Sequence, residues 1–363
     1  MATTWKDKLH RIVTSAYFPV IAVVASIVIS GIVMWCFGFD PLYAFSTLFN
    51  GAFGSMNNLG ETLVKMTPLL FTAISFSVAY RCGVFNVGAT GQLIIGAIFG
   101  SLVGTQFADL APIIHIPLML IMGFIGGALY GWIAGFLKER FGANELIVTT
   151  MMNYIAVQIL AYCVAGPLKD PATAATSTPQ SALMVDSVQL PVLVDGTRLH
   201  AGLLIALAFL VLFYIFMWRT SRGYQMRVVG LSPQAGRYAG INVKSNQMLA
   251  MILAGGLAGI GGCVELMSIQ SRLIQNFGGT LGFDGIAVAL LGGCSPVGML
   301  FSGVLFGALS SGASKMQMLA QVPDAMVEIT QSLIILFVVG RELFKFYGRK
   351  KAKKLALPGK EVK

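Results

Sequence analysis

The lysines and arginines of this 363-residue chain fall into alternate gaps between long apolar segments. Twenty of the 25 basic residues lie in 1–17, at Arg81, in 138–140, in 219–245 and from Arg341 to the end. Basic residues accumulate in the cytoplasmic loops of membrane proteins. The distribution therefore predicts a chain that crosses a membrane repeatedly and keeps these five places on the cytoplasmic side.

The composition agrees with a membrane protein. Hydrophobic residues make up 56% of the chain and charged residues only 11%, with a mean hydropathy of +0.78. A soluble domain carries roughly 25% charged residues. The basic residues behind the net charge of +10 border the apolar segments and do not alternate with aromatic residues. Their placement therefore indicates membrane topology and contact with anionic lipid. We expect no nucleic-acid partner.

Apolar stretches near the roughly 20 residues of a spanning helix occur ten times. An even number places both basic termini on the cytoplasmic side, and the eighth and ninth stretches are short enough to form one re-entrant pair instead. The sequence thus predicts an all-α polytopic membrane protein of about ten transmembrane helices. The predicted spans are Phe18–Phe39, Thr62–Tyr80, Val84–Phe107, Pro112–Leu137, Glu145–Gly166, Ala201–Trp218, Gln247–Ser268, Gly282–Cys294, Val297–Gly312 and Ala325–Phe344.

These spans divide the chain into a transmembrane domain over 18–345 and two cytoplasmic basic tails, 1–17 and 346–363. Within the domain, Asp40–Gly60 and the long segment 167–200 are predicted as external loops. The segment 219–245 is predicted as a cytoplasmic loop.

The sequence contains no constellation typical of an enzyme. It lacks a phosphate-binding loop with G-x-x-x-x-G-K-[ST], an HExxH metal motif and a GxSxG nucleophile turn. The five cysteines form no CxxC pair. We therefore expect no catalytic residue, no metal and no cofactor bound by this chain. An ion-coupled carrier remains open, although no span carries the paired acids of a proton relay.

Five polar side chains inside the predicted spans are candidates for lining a solute path. An amide in a membrane helix either binds a polar solute or joins two helices by hydrogen bonds, and both interpretations stay open for each residue. The candidates are Asn86, Gln92, Asn153, Gln158 and Glu265.

Acidic residues near the span ends allow two interpretations. Glu265 is the deepest, and it either serves the path or reaches the interface and pairs with Arg272. Glu145, which follows Asn144, is interpreted as structural. Asp284 is interpreted as the N-cap of the eighth span.

The segment 219–245 combines five basic residues with apolar ones such as Met226, Val229, Leu231 and Tyr238. A loop that only contacted water would not need these apolar side chains. We interpret the segment as a docking surface for a cytoplasmic partner, with a solvated basic loop as the alternative.

Three segments in order resemble one family of transporters. GVFNVGATGQLIIGA at 83–97, SPQAGRYAGI at 232–241 and GFDGIAVALLGG at 282–293 resemble motifs of the ABC importer permeases for simple sugars and branched-chain amino acids. The segment ANELIVTTMMNYIA at 143–156 is similar to the nucleoside (guanosine-type) branch. Leu231 and Gly236 depart from the family pattern, where many relatives have Asn and Ala, and both bear on partner fit.

The resemblance implies a fold similar to vitamin B12-type importer permeases, in a bacterial plasma membrane. It implies a permease for nucleosides that works by alternating access, uses ATP only through a partner ATPase, and is not itself an enzyme. The implied partners are that cytoplasmic ATPase, a second permease chain (a paralogue or the same chain) and a lipid-anchored or periplasmic solute-binding protein. A permease for a ribose-like monosaccharide is the alternative within the family. The implied coupling residues are Gln234, Ala235, Arg237, Tyr238, Gly240 and Ile241.

Overall fold

The computed structural model describes residues 21–337 except 22, 108–109, 171–178 and 324. The described residues form thirteen α-helices and no β-strand, which confirms the all-α prediction. The predicted tails 1–17 and 346–363 lie outside the described residues. The helices are α1 Val23–Cys36, α2 Pro41–Phe53, α3 Met56–Arg81, α4 Ala89–Gly104, α5 Pro112–Phe141, α6 Glu145–Ala165, α7 Gly202–Arg219, α8 Ser221–Leu231, α9 Pro233–Tyr238, α10 Val243–Glu265, α11 Leu281–Leu291, α12 Pro296–Ala320 and α13 Ala325–Phe337.

Six of these helices are long and apolar enough to cross a membrane: α3, α5, α6, α7, α12, and α10 with its extension to Gln270. Four more apolar helices are shorter, namely α1, α4, α11 and α13. Each of the ten predicted spans overlaps one of these helices. The fold is therefore that of a multi-pass membrane protein, while the count of ten spans stays a prediction.

The segment Asp40–Gly60, predicted as a loop, is helical over most of its length. Pro41 occupies the first helical position of α2, where its missing N–H needs no partner. The side chain of Asp40 accepts hydrogen bonds from the backbone N–H groups of Leu42 at 2.9 Å and Tyr43 at 3.3 Å. These starting signals outweigh the Asn and Gly content that favoured a loop.

The chain divides into two compact units. The first comprises residues up to Gly51 and from Leu309 onward. In it, the hydroxyl groups of Ser30 and Thr330 form a hydrogen bond that joins α1 to α13.

The second unit, Ala52–Ala308, contains the main core. Its central helix α10 packs against α3, α4 and α5. A Cβ atom added at Gly255 would lie 2.2 Å from the carbonyl oxygen of Gly127 on α5. Only glycine permits helices α5 and α10 to cross this closely.

Two ends of this second unit can be distinguished. At one end, which we call the basic end, the guanidinium of Arg81 lies 4.9 Å from the ring centroid of Trp218, next to Arg219. The same guanidinium donates a 3.0 Å hydrogen bond to the carbonyl of Cys294. The ends of α3, α7 and α11 therefore meet there.

Candidate functional site

Asn86 and Gln92 form a closed pair of side-chain hydrogen bonds. The Nδ2 of Asn86 donates to Oε1 of Gln92 at 2.9 Å, and Nε2 of Gln92 donates to Oδ1 of Asn86 at 3.2 Å. Both side chains are buried. The structure thus brings these two predicted path residues into direct contact, with their amide groups satisfied by each other.

Asn153 joins α6 to the beginning of α4. Its Oδ1 accepts a hydrogen bond from the backbone N–H of Gly91 at 2.8 Å, and its Nδ2 donates to the carbonyl of Val87 at 3.0 Å. Thr149, one turn earlier, accepts from the backbone N–H of Val87 at 3.3 Å. Because these side chains satisfy backbone groups that no helix pairs, residues 84–87 stay outside any helix and α4 begins only at Ala89.

Gln158 does not join this group. It lies on the exposed face of α6, together with Tyr154 and Tyr162, whereas Asn153 lies on the buried face. The four predicted path amides therefore belong to two surfaces. A spacing of five residues turns about 140° around a helix, which accounts for the different faces of Asn153 and Gln158.

Glu265 is buried at the end of α10 opposite to the basic end, and its Oε2 has no hydrogen-bond partner among the described residues. The charged groups that act on it are Lys65 and Arg198. The predicted partner Arg272 is in neither ion pair of the described residues, which join Lys138 to Glu145 at 3.2 Å and Arg198 to Glu61 at 3.5 Å.

His200, which the sequence analysis did not select, lies just before α7 and is buried. Its Nδ1 accepts a hydrogen bond from the backbone N–H of Gly202 at 3.1 Å. Burial, with a smaller contribution from Arg198, lowers the pKa of His200 to about 4. The imidazole is thus neutral at physiological pH and acts as a cap for the first turn of α7.

The two acidic residues interpreted at helix ends have different outcomes. Asp284 is not an N-cap, because α11 begins at Leu281 and its N-cap is Thr280, whose hydroxyl bonds the Asp284 carboxylate at 2.8 Å. Asn144 does cap α6, and Glu145 pairs with Lys138. The structural interpretation of Glu145 is therefore confirmed.

The segment 219–245 forms two short helices, α8 and α9. The side chain of Ser232 caps α9 by accepting a hydrogen bond from the N–H of Ala235 at 3.2 Å. Leu231, the last residue of α8, and Tyr238, the last residue of α9, are 89% and 96% exposed. Among the predicted coupling residues, Gln234, Ala235, Arg237 and Gly240 are also exposed, and Ile241 is half-buried.

Two apolar residues inside α8 are buried, unlike Leu231 at its end. Met226 and Val229 are buried and anchor α8 to the basic end. A Cβ atom on Gly230 would lie 2.1 Å from the carbonyl oxygen of Arg81, so α8 rests directly on the end of α3. The predicted docking surface is therefore smaller than the whole segment and centres on α9.

A polar groove of about 490 Å³ lies beside α9. Lys138 and Glu145, from the ends of α5 and α6, line one part, and Arg237 and Lys244 line another. The sequence analysis missed this groove, because about 90 residues separate the two parts along the chain. The basic residues at both places were the available signal.

Comparison with known proteins shows which family the chain belongs to. Residues 58–339 match the family described as branched-chain amino acid transport system / permease component. The guanosine ABC transporter permease protein NupP of Bacillus subtilis is 36% identical over 93% of this chain and 96% of its own length. The nucleoside ABC transporter permease protein NupB of Lactococcus lactis is 36% identical over 88% of this chain and 89% of its own.

A third relative, a glucose ABC transporter permease protein of Haloferax volcanii, is 32% identical over 91% of this chain and 88% of its own. No solved structure matches the chain. The family match covers most of the described helices, from α3 to α13, and includes all predicted path and coupling residues. The chain belongs to the permease-component family of the branched-chain amino acid transport system.

Proposed function

We propose that the chain is the permease subunit of an ATP-driven ABC importer for nucleosides. The substrate class is supported by the two relatives named for guanosine and nucleosides, which align with nearly the whole chain. The division of labour is supported by the junction of α8 and α9, which exposes Leu231 of α8 and Tyr238 of the capped helix α9 beside basic residues. This chain provides the solute path, and ATP is hydrolysed by a partner.

The observation that carries the coupling role is the exposure of α9 together with the anchoring of α8. A partner that pushes on α9 moves a segment fixed to the end of α3 through Gly230 and Arg81. We propose that a cytoplasmic ATPase docks on Gln234, Ala235, Arg237, Tyr238, Gly240 and Ile241. The basic end is then cytoplasmic, as the positive-inside rule requires.

The remaining organisation is proposed on the same basis. The protein is a multi-pass plasma-membrane protein of ten spans with both termini in the cytoplasm, similar to vitamin B12-type importers. It pairs with a second permease chain and receives solute from an external binding protein. The chain itself binds no cofactor.

For the path, the structure supports different roles for the five predicted residues. Gln158 is exposed and available to a solute. The segment 84–87 is held next to α6 by Asn86, Gln92 and Asn153. These three residues therefore support the wall of the path and do not line it. Glu265 contributes a buried carboxyl group at the opposite end, where Lys65 and Arg198 act on it. Alternating access would tilt α6 against this network.

Transport of a monosaccharide is the second candidate, because the glucose permease relative aligns with 91% of the chain. An ion-coupled carrier is a third and has no specific observation in its favour.

The test of substrate class is uptake of labelled guanosine by cells with and without the gene. Unlabelled nucleosides, ribose, glucose and nucleobases serve as competitors. We expect uptake to disappear on deletion and to be inhibited by nucleosides alone. Inhibition by glucose or ribose without inhibition by nucleosides would move the chain to the sugar transporters.

A further inference from the structure

The exposed face of α6 carries three polar-tipped side chains, and the middle one, Gln158, lies at a depth where lipid contact would favour an apolar residue. Tyr154 and Tyr162 are 66% and 73% exposed, and Gln158 lies one turn from each of them. At about 1.5 Å per residue, Gln158 lies roughly 20 Å along α6 from Glu145. The hydrocarbon layer is about 30 Å thick, so this position falls well inside it.

The outer faces of two other helices are mostly aliphatic. The exposed positions in the middle of α5 are Ile121, Ile125 and Leu129, and those of α7 include Leu204, Val211 and Leu212, with one tyrosine, Tyr214, closer to its end at Arg219. An amide without a partner in hydrocarbon is unfavourable by several kcal/mol. The stripe Tyr154–Gln158–Tyr162 therefore faces a polar occupant and not lipid.

The shape and chemistry of the stripe define that occupant. Tyr154, Ile155, Gln158, Ile159 and Tyr162 line a groove of about 420 Å³. Its lining contains no charged group, which disfavours a phosphorylated solute. Flat phenol rings stack on nucleobases, and a glutamine amide can both donate to and accept from the edge of a base.

We propose that Tyr154, Gln158 and Tyr162 form a nucleoside-binding stripe in the transport path. A tyrosine ring stacks on the base, and the Gln158 amide hydrogen-bonds its edge. A monosaccharide lacks the aromatic face of a base, so stacking on the tyrosines favours nucleosides over sugars. This inference rests on the proposed function and assigns the solute contacts of the same path.

The test uses the complete importer with cysteine introduced at position 158 (Gln158→Cys), and thiol labelling by a hydrophilic, membrane-impermeant reagent. Unsubstituted importer gives the background from the native cysteines, of which Cys36 is exposed. Leu212→Cys on the outer face of α7 is the matched control, because its side chain is also exposed. We expect labelling at 158 and not at 212, and we expect guanosine, but not glucose, to slow it.

A second pair of variants tests stacking in the Gln158→Cys importer. Tyr162→Leu should raise the guanosine concentration for half-protection on the order of tenfold, whereas Tyr162→Phe, which keeps the ring, should leave it unchanged. No labelling at position 158, or labelling there that guanosine does not slow, would overturn the proposal. Uptake by the unsubstituted importer distinguishes failure of the stripe from failure of the proposed function. If that importer shows no ATP-dependent guanosine uptake, the proposed function is wrong. If it does show such uptake and the labelling results fail, only the stripe is wrong.

Discussion

The side-chain carbonyl of Asn153 on α6 accepts a 2.8 Å hydrogen bond from the backbone N–H of Gly91 on α4. A Cβ atom on Gly91 would lie 3.0 Å from the same oxygen, so there is little free space around the contact. A helix beginning inside the protein leaves backbone N–H groups without intrahelical partners. Asn153 supplies one of those partners and thereby fixes α6 to the beginning of α4.

Replacing Asn153 with Ala should destabilise the protein. The backbone N–H of Gly91 and the carbonyl of Val87 would both lose their partner in a buried place, at about 1–3 kcal/mol for each group. The thermal unfolding midpoint in detergent should therefore fall, and uptake with it. Gln158→Ala, on the exposed face of the same helix, is the control and should leave the midpoint unchanged. Equal midpoints for both variants would show that Asn153 does not hold α4.

Gly230→Ala tests whether α8 must rest on the end of α3. The added methyl group would lie 2.1 Å from the carbonyl oxygen of Arg81, so α8 has to move. Overpacking of this kind is unfavourable by about 1–3 kcal/mol. Lower thermal stability and loss of transport at normal expression are expected. Gly236→Ala is the matched control in the same segment, since its nearest atom lies at 3.6 Å. If Gly236→Ala were as damaging as Gly230→Ala, the contact with Arg81 would not explain the effect.

Arg237→Glu should separate ATP hydrolysis from transport. Arg237 is exposed on α9, where charge reversal changes the docking surface without disturbing buried residues. In the assembled importer, uptake per ATP hydrolysed should fall at least tenfold, an estimate based on truncation of central interface residues. Arg222→Glu, exposed on α8, should keep the ratio. Normal coupling in Arg237→Glu would place the docking surface elsewhere.

Lowering the pH should destabilise the fold through His200. Its pKa is lowered to about 4 in the folded protein, from 6.5 in the unfolded chain. Between these two values, the unfolded chain binds a proton that the folded protein does not, so stability is full above pH 6.5 and falls as the pH drops toward 4. The loss at pH 5 is at most about 2 kcal/mol.

The measurement is the thermal midpoint at pH 7.5 and pH 5. His200→Asn keeps a side-chain acceptor for the Gly202 N–H and removes the titrating group, so its midpoint should change less between the two pH values. An identical change in both proteins would assign the pH effect to other groups.

Most of the helical framework could be predicted from hydropathy, because each predicted span is a predominantly apolar run that coincides with a helix. The start of α2 was missed, since its signal consists only of Asp40 and Pro41 in a segment rich in Asn and Gly. The roles of the amides could not be predicted in the same way. Asn86, Gln92 and Gln158 are the same kind of residue in sequence, and only tertiary packing buries two of them against each other and leaves the third exposed.

The docking segment shows the same limit. Met226 and Leu231 are both apolar residues among charges, yet one is buried and the other is 89% exposed. The difference depends on the close approach of Gly230 to Arg81, which joins parts of the chain about 150 residues apart. Local patterns do not contain such contacts.

The central claim is that this permease takes part in ATP-driven nucleoside import. The most direct test is to reconstitute the complete importer, with its ATPase, second permease chain and solute-binding protein, in proteoliposomes and to measure accumulation of labelled guanosine. Accumulation that requires ATP and persists when all ion gradients are collapsed is the predicted result. Accumulation that needs no ATP and stops when an ion gradient is removed would contradict the account.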